Sequence, residues 1–156
     1  MNNLIIRDAK HSDLDQVYRL GVNVAEFETS RNVVTFWPRE ILKNLVAKND
    51  VLFKIAEIGG EIVGFMILNL NLSLKKGELE NMFVEPDFRE KGIGKELLRE
   101  IIAEAKNRGV EFIVGLENEA TEFLLKNGFA KGKTFTWLDL VLDNKFNKKG
   151  DVSRNQ

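Results

Sequence analysis

Residues 78–108 read ELENMFVEPDFREKGIGKELLREIIAEAKNR, and their order predicts a strand, a tight turn and a long helix. The run Glu78 to Val84 is the strand, and Pro86 stops it because proline has no N–H for a ladder. From Gly92 to Arg108, the residues Ile93, Leu97, Leu98, Ile101, Ile102 and Ala105 recur at helical spacing until Gly109. Glu96–Arg99 and Glu104–Arg108 can pair on the wet face of that helix. Between strand and helix stands Arg89-Glu90-Lys91-Gly92-Ile93-Gly94, which brings several backbone N–H groups to one point. Such a point attracts anions, because the helix N-terminus carries about half a positive charge. Gly92 and Gly94 let an anion approach the main chain without a Cβ in the way, and Lys91 and Lys95 add mobile cations.

Two phosphate motifs fail here. A Walker loop needs Ser or Thr after its lysine, but Lys95 is followed by Glu96, and no glycine lies five residues before Gly94. A dinucleotide fingerprint needs a third glycine where this chain has Leu97.

Outward from this stretch, Leu4 to Arg7, ending in Asp8, reads as an opening strand. Ser12 can cap a helix carrying Asp13 and Asp15 in its first turn and Leu14, Val17, Tyr18 and Leu20 on one face. Glu26 to Trp37 has no clean period and reads as a loop or short helical pieces. Pro38 starts a second helix with Ile41, Leu42, Leu45 and Val46 as its buried stripe. Val51 to Ile58 and Glu61 to Leu70 form a hairpin around Gly59 and Gly60. Asn69 to Lys76 is polar and irregular. Beyond Gly109 come a short strand, Phe112 to Leu116, a short helix, Asn118 to Lys126, and a long strand, Thr134 to Leu142. The result is an α/β (α+β) fold with a mixed, mostly antiparallel sheet flanked by helices.

Composition narrows the chemistry. The 156 residues suit one domain, residues 1–143, with a polar and flexible tail at 144–156. There is no cysteine and one histidine, His11, which removes thiolate metal sites, cysteine nucleophiles and any His-rich centre, so no metal is expected. A net charge of -1 gives no general attraction for nucleic acid or an acidic membrane surface. The start MNNLIIRDAKHSD lacks the features of a signal peptide, and no run approaches the roughly 20 apolar residues of a span, so a cytoplasmic location is expected.

Taken together, the strand LENMFVEP, the loop REKGIG with its helix, and the later segment ATEFLLKNGF resemble the GCN5-related N-acetyltransferase family, GNAT. The antiparallel meander ahead of the motif and the final strand match as well, so the resemblance runs over nearly the whole of Leu4 to Leu142. It implies acetyl-CoA as donor and a primary amine of a small molecule or protein as acceptor, with direct transfer between them. It further implies that Arg89, Glu90, Lys91, Gly92, Ile93, Gly94 and Lys95 hold the pyrophosphate. Main-chain groups of Met82, Phe83 and Val84 would hold the acetyl carbonyl and pantetheine, with Asn118, or Glu117 in a shifted register, contacting the pantetheine.

An ammonium must lose a proton before it can attack. Glu78 and Glu80 stand at the two positions that related enzymes use for this purpose and project from one face of their strand. Glu80 is the favoured base, and both can equally be read as solvated strand-face carboxylates. The tyrosine that commonly protonates the departing thiolate is replaced by Leu124, which leaves open a second reading: a CoA-binding or CoA-sensing module that transfers weakly or not at all. Tyr18 reads as a packing residue, His11 as a surface residue, and Phe135 and Trp137 as packed or interfacial, whereas Phe27, Phe36 and Trp37 divide between core and acceptor pocket. The last strand can pair two copies into a homodimer.

Overall fold

Gly59 and Gly60 take φ of 61° and 88°, the two positive values that a two-residue reversal needs. They join β2 (Val51–Ile58) to β3 (Glu61–Asn71) with Ile58 opposite Glu61. In this computed structural model the described residues are 3–27, 36–118, 120–134, 136, 138 and 140. The remaining elements are β1 (Leu4–Asp8), α1 (Leu14–Gly21), α2 (Arg39–Ala47), β4 (Lys76–Val84), α3 (Ile93–Asn107), β5 (Phe112–Gly115) and α4 (Thr121–Lys126).

The sheet order is β1-β2-β3-β4-β5. The first three pairings are antiparallel and the last, β4 with β5, is parallel, because α3 carries the chain across between them. The two faces of the sheet hold separate apolar cores. On one, Leu52, Met66, Leu68 and Leu70 meet Ile93, Leu97, Leu98 and Ile101 of α3. On the other, Phe53, Ile55, Phe65 and Ile67 meet Leu14 and Val17 of α1 and Leu42 of α2, with Phe36.

Several boundaries differ from the sequence reading. Ser12 does not cap α1. It lies in a 3₁₀ turn, and the buried Asp13 carboxylate instead accepts from the Lys10 backbone N–H and from Arg7, at 2.7 Å each. The stretch expected to be irregular up to Lys76 is mostly ordered: β3 runs to Asn71 and β4 begins at Lys76, after Lys75 makes the reversal with φ 52°. Thr121 rather than Asn118 starts α4, since Asn118 Oδ1 accepts from Ala120 N–H and Thr121 Oγ1 from Asn118 N–H. Of the expected strand at 134–142, Thr134, Thr136, Leu138 and Leu140 are described and belong to no strand. The other positions, with Phe135 and Trp137, lie outside the described residues, as do 28–35 of the α1–α2 connection and the tail. No helix among the described residues is long and apolar enough to cross a membrane.

Sequence patterning did not reveal Lys54, a charge in the middle of β2 whose side chain is only 11% exposed. It is held by Asp8 of β1 and Glu104 of α3, both at 2.6 Å, and ties the C-terminal half of α3 to the sheet.

Candidate active site

Nine residues of β4 lie opposite the eight from Gly64 to Asn71 of β3. Asn81 faces Ile67 and Leu79 faces Leu68, so Glu80 is the extra residue of a β-bulge. Pairing with β5 stops at the same place. Lys76 to Leu79 match Phe112 to Gly115, and from Glu80 to Val84 no strand among the described residues lies beside the β4 edge. A bulge bends its strand, and here the bend coincides with the opening of a wedge between β4 and β5.

The bulge also sets which way side chains point. Leu79, Met82 and Val84 contribute to the core under α3, whereas Phe83 faces the core under α1 and α2. Strict alternation would place Glu80 and Asn81 on opposite faces. Instead both reach the α1–α2 face: Glu80 Oε1 accepts from Asn69 Nδ2 at 2.6 Å, and Asn81 Oδ1 accepts from Trp37 Nε1 at 2.8 Å. Glu78 shares this face and bonds Lys76 at 3.4 Å. Burial pushes the Glu80 carboxyl above its ordinary range and repulsion from Glu78 adds to this, while the Asn69 hydrogen bond opposes both.

The wedge continues into a cavity of about 470 Å³, lined by Met82, Val84, Phe88, the loop before α3, Asn118 and Phe123 among others. The first bond into α3 runs from Glu96 N–H to Gly92 C=O at 3.1 Å, which leaves the N–H groups of Ile93, Gly94 and Lys95 without a helical acceptor. Gly92, with φ 82°, turns the chain into the helix, and Glu90 before it also has a positive φ, 61°. A Cβ on Gly94 would meet the Phe123 ring at 3.4 Å, so a side chain there would fill the gap between α3 and α4. These features fit an elongated ligand with a phosphate group at the helix N-terminus and a thin arm along the free edge of β4.

Of the residues singled out in the sequence, Met82, Val84, Arg89, Glu90, Gly92, Ile93, Gly94, Lys95 and Asn118 line this cavity. Phe83 and Lys91 do not. The Phe83 ring packs against Phe27 and Phe65 on the other face, and Lys91 Nζ donates to the Asp87 carbonyl at 2.8 Å. Arg89 lines the cavity while its Nε donates to the Val84 carbonyl at 2.8 Å, so its guanidinium braces the end of β4. Asn118 rather than Glu117 faces the cavity, and Glu117 pairs with Lys131 outside it. Leu124 is buried in the core under α3. Arg39 Cζ lies 3.9 Å above the centroid of the Tyr18 ring, and His11 is exposed.

Asn81 and its partner Trp37 were not paired by the sequence, and no local signal could have paired them. Their contact depends on a bulge and on a tertiary approach across 44 residues.

A family model described as the acetyltransferase (GNAT) family matches residues 17–129. An uncharacterized N-acetyltransferase of Methanocaldococcus jannaschii is 33% identical over 147 residues, covering 87% of this chain and 65% of that protein. This chain therefore spans slightly less than two thirds of that relative. An uncharacterized N-acetyltransferase of Archaeoglobus fulgidus is 33% identical over 127 residues, 72% of this chain and 83% of that protein. Among solved structures, the PaiA N-acetyltransferase of Thermoplasma acidophilum in complex with coenzyme A has the same fold, with a TM-score of 0.70 at 23% identity, covering 85% of this chain and 93% of that one.

Proposed function

The chain belongs to the GNAT family of acetyltransferases, and on that premise we propose that it transfers the acetyl group of acetyl-CoA directly to a primary amine, with Glu80 as the proton acceptor. The observation that carries this reading is the coincidence on β4 of a desolvated carboxylate, Glu80, with the point where the strand loses its β5 neighbour and its edge runs free toward α3.

Acetyl-CoA, when bound, supplies the acetyl group as a thioester. Its pyrophosphate would be held by the N–H groups at the start of α3, with Lys95 and Arg89 nearby, and its arm by the free edge at Met82 and Val84. Glu80 takes a proton from the acceptor ammonium, whose ordinary pKa near 10.4 leaves about one molecule in a few thousand neutral at pH 7. A carboxylate raised by burial is a better base for this step than one in water. Cytoplasmic residence and the absence of a metal requirement are part of the same proposal.

The test is thiol release from acetyl-CoA across a panel of amines, together with the Glu80→Gln variant. Release that depends on both the amine and Glu80 supports the reading. The burial of Leu124 favours a second one, a module that binds CoA without turnover, because no proton donor stands at that position. Tight CoA binding with no thiol release from any amine would select it.

A further inference from the structure

Trp37 fixes the orientation of the Asn81 side chain. An indole N–H can only donate, so the atom of Asn81 that it meets at 2.8 Å must be the carbonyl oxygen, and the amide nitrogen must point the other way. Asn81 as a residue is 7% exposed. Its Nδ2 donates to no group among the described residues, yet no fully buried side-chain nitrogen or oxygen there lacks a partner. The NH₂ group therefore opens to solvent through a small window. The bulge puts that window on the same face as Glu80 and next to it in the chain.

A desolvated amide with its oxygen already bonded, and two N–H bonds left over, calls for an oxygen lone pair. On the proposed reading of the site, the group that comes to lie there is the acceptor. We propose that Asn81 is a specificity-determining residue that donates from Nδ2 to an oxygen of the acceptor, and that Trp37 is its positioning residue. The acceptor class is then a primary amine with a carbonyl, carboxylate or hydroxyl oxygen a few bonds from the nitrogen, rather than a plain alkylamine. The same chemistry can be met by a water molecule. The substrate and water alternatives separate in the ratio between amines with and without the oxygen.

The experiment compares kcat/KM for glycinamide and alaninamide with that for n-propylamine, in the wild type, Asn81→Asp and Trp37→Phe. Asp keeps an acceptor for the Trp37 N–H but presents an oxygen where Nδ2 stood. Phe removes the N–H that fixes the amide. The expected result is a fall of at least about tenfold in the amide-to-alkylamine ratio in Asn81→Asp, with a smaller fall in Trp37→Phe. An unchanged ratio, with both substrate classes losing rate together, overturns the proposal and leaves Asn81 as a structural or water-holding group.

A binding measurement covers the case of weak turnover or a poorly folded variant. The Nδ2 resonance of Asn81 in the wild-type protein, assigned by its loss in Asn81→Asp or by triple-resonance methods, should shift on titration with glycinamide and not with n-propylamine. No shift with glycinamide overturns the proposal. Absence of thiol release with every amine would instead remove the acetyl-transfer reading, while the resonance still decides the role of Asn81.

Discussion

Asn69 Nδ2 on β3 donates to Glu80 Oε1 on β4 at 2.6 Å, fixing one oxygen of the carboxylate across the strand pair. An amide donor stabilises the charged form without supplying a charge of its own, so it tempers the effect of burial without cancelling it.

The pH profile of transfer should report this balance. With the Glu80 pKa raised, the ionised base appears only above the ordinary carboxylate value of 4.5, and the acid limb of kcat/KM lies there. Asn69→Ala should move that limb to higher pH, and Glu78→Gln should move it lower. Glu80→Gln should remove the limb and lower the rate by about 10²–10⁴. A limb that ignores all three substitutions would exclude Glu80 as the base.

Gly92 sits at φ 82° with no atom near the place of a Cβ, so its requirement is conformational rather than steric. Gly92→Ala should cost about 1–2 kcal/mol from the left-handed backbone, and the Tm should fall by a few degrees. The same distortion reorients the N–H groups behind it, and calorimetric titration should show weaker acetyl-CoA binding.

Leu124 lies 6% exposed in the core under α3. Leu124→Ala should destabilise the fold by about 2–5 kcal/mol in urea unfolding. Leu124→Tyr should also destabilise, because the larger side chain must displace packed neighbours, and it should bring no gain in kcat. An increase in kcat would show that the ring reaches the cavity.

Acid should act on the fold through Asp13 and Glu104. The Arg7 hydrogen bond holds Asp13 below its ordinary 3.8 against the effect of burial, with further help from the Lys10 N–H. For Glu104, burial raises the pKa, but hydrogen bonds from Lys54 and Arg108 outweigh it and the net shift is downward. Groups with a depressed folded pKa contribute stability that is full above the unfolded value and lost as pH falls through the folded one. Stability should therefore decline below about pH 4.5. Lys54→Met should cost about 1–3 kcal/mol near neutral pH, and the Glu104 part of the acid sensitivity should shrink with it.

The parts of the fold that repeat at a fixed period were legible in the sequence. The α3 stripe fell where Ile93, Leu97 and Ile101 are buried, and the two glycines after Ile58 named the hairpin. The loop before α3 was legible for the same reason, since its chemistry is local backbone chemistry. Glu80 could be placed on the face it shares with Glu78, but the bulge beneath it could not. A bulge is a property of two strands, and only the pairing of β3 with β4 reveals it. Asn81 and Lys54 escaped notice, and Trp37 stood out without its partner, because each depends on a residue far away in the chain.

The extra residue in β4 gives this strand a fixed length as well as a fixed composition. Substitutions along it change one side chain at a time. Deleting a residue of β4 away from the bulge would remove the mismatch with β3 and send the residues between the deletion and the bulge to the opposite face, whereas deleting Glu80 itself would leave the other side chains on their faces. Loss of Gly77, for example, would turn Leu79 to the α1–α2 face and Glu78 and Glu80 to the α3 face. In a library of random variants, β4 should therefore tolerate many replacements at its exposed positions while rejecting one-residue deletions away from the bulge, and loss of the Glu80 codon should spare the fold while removing the proposed base.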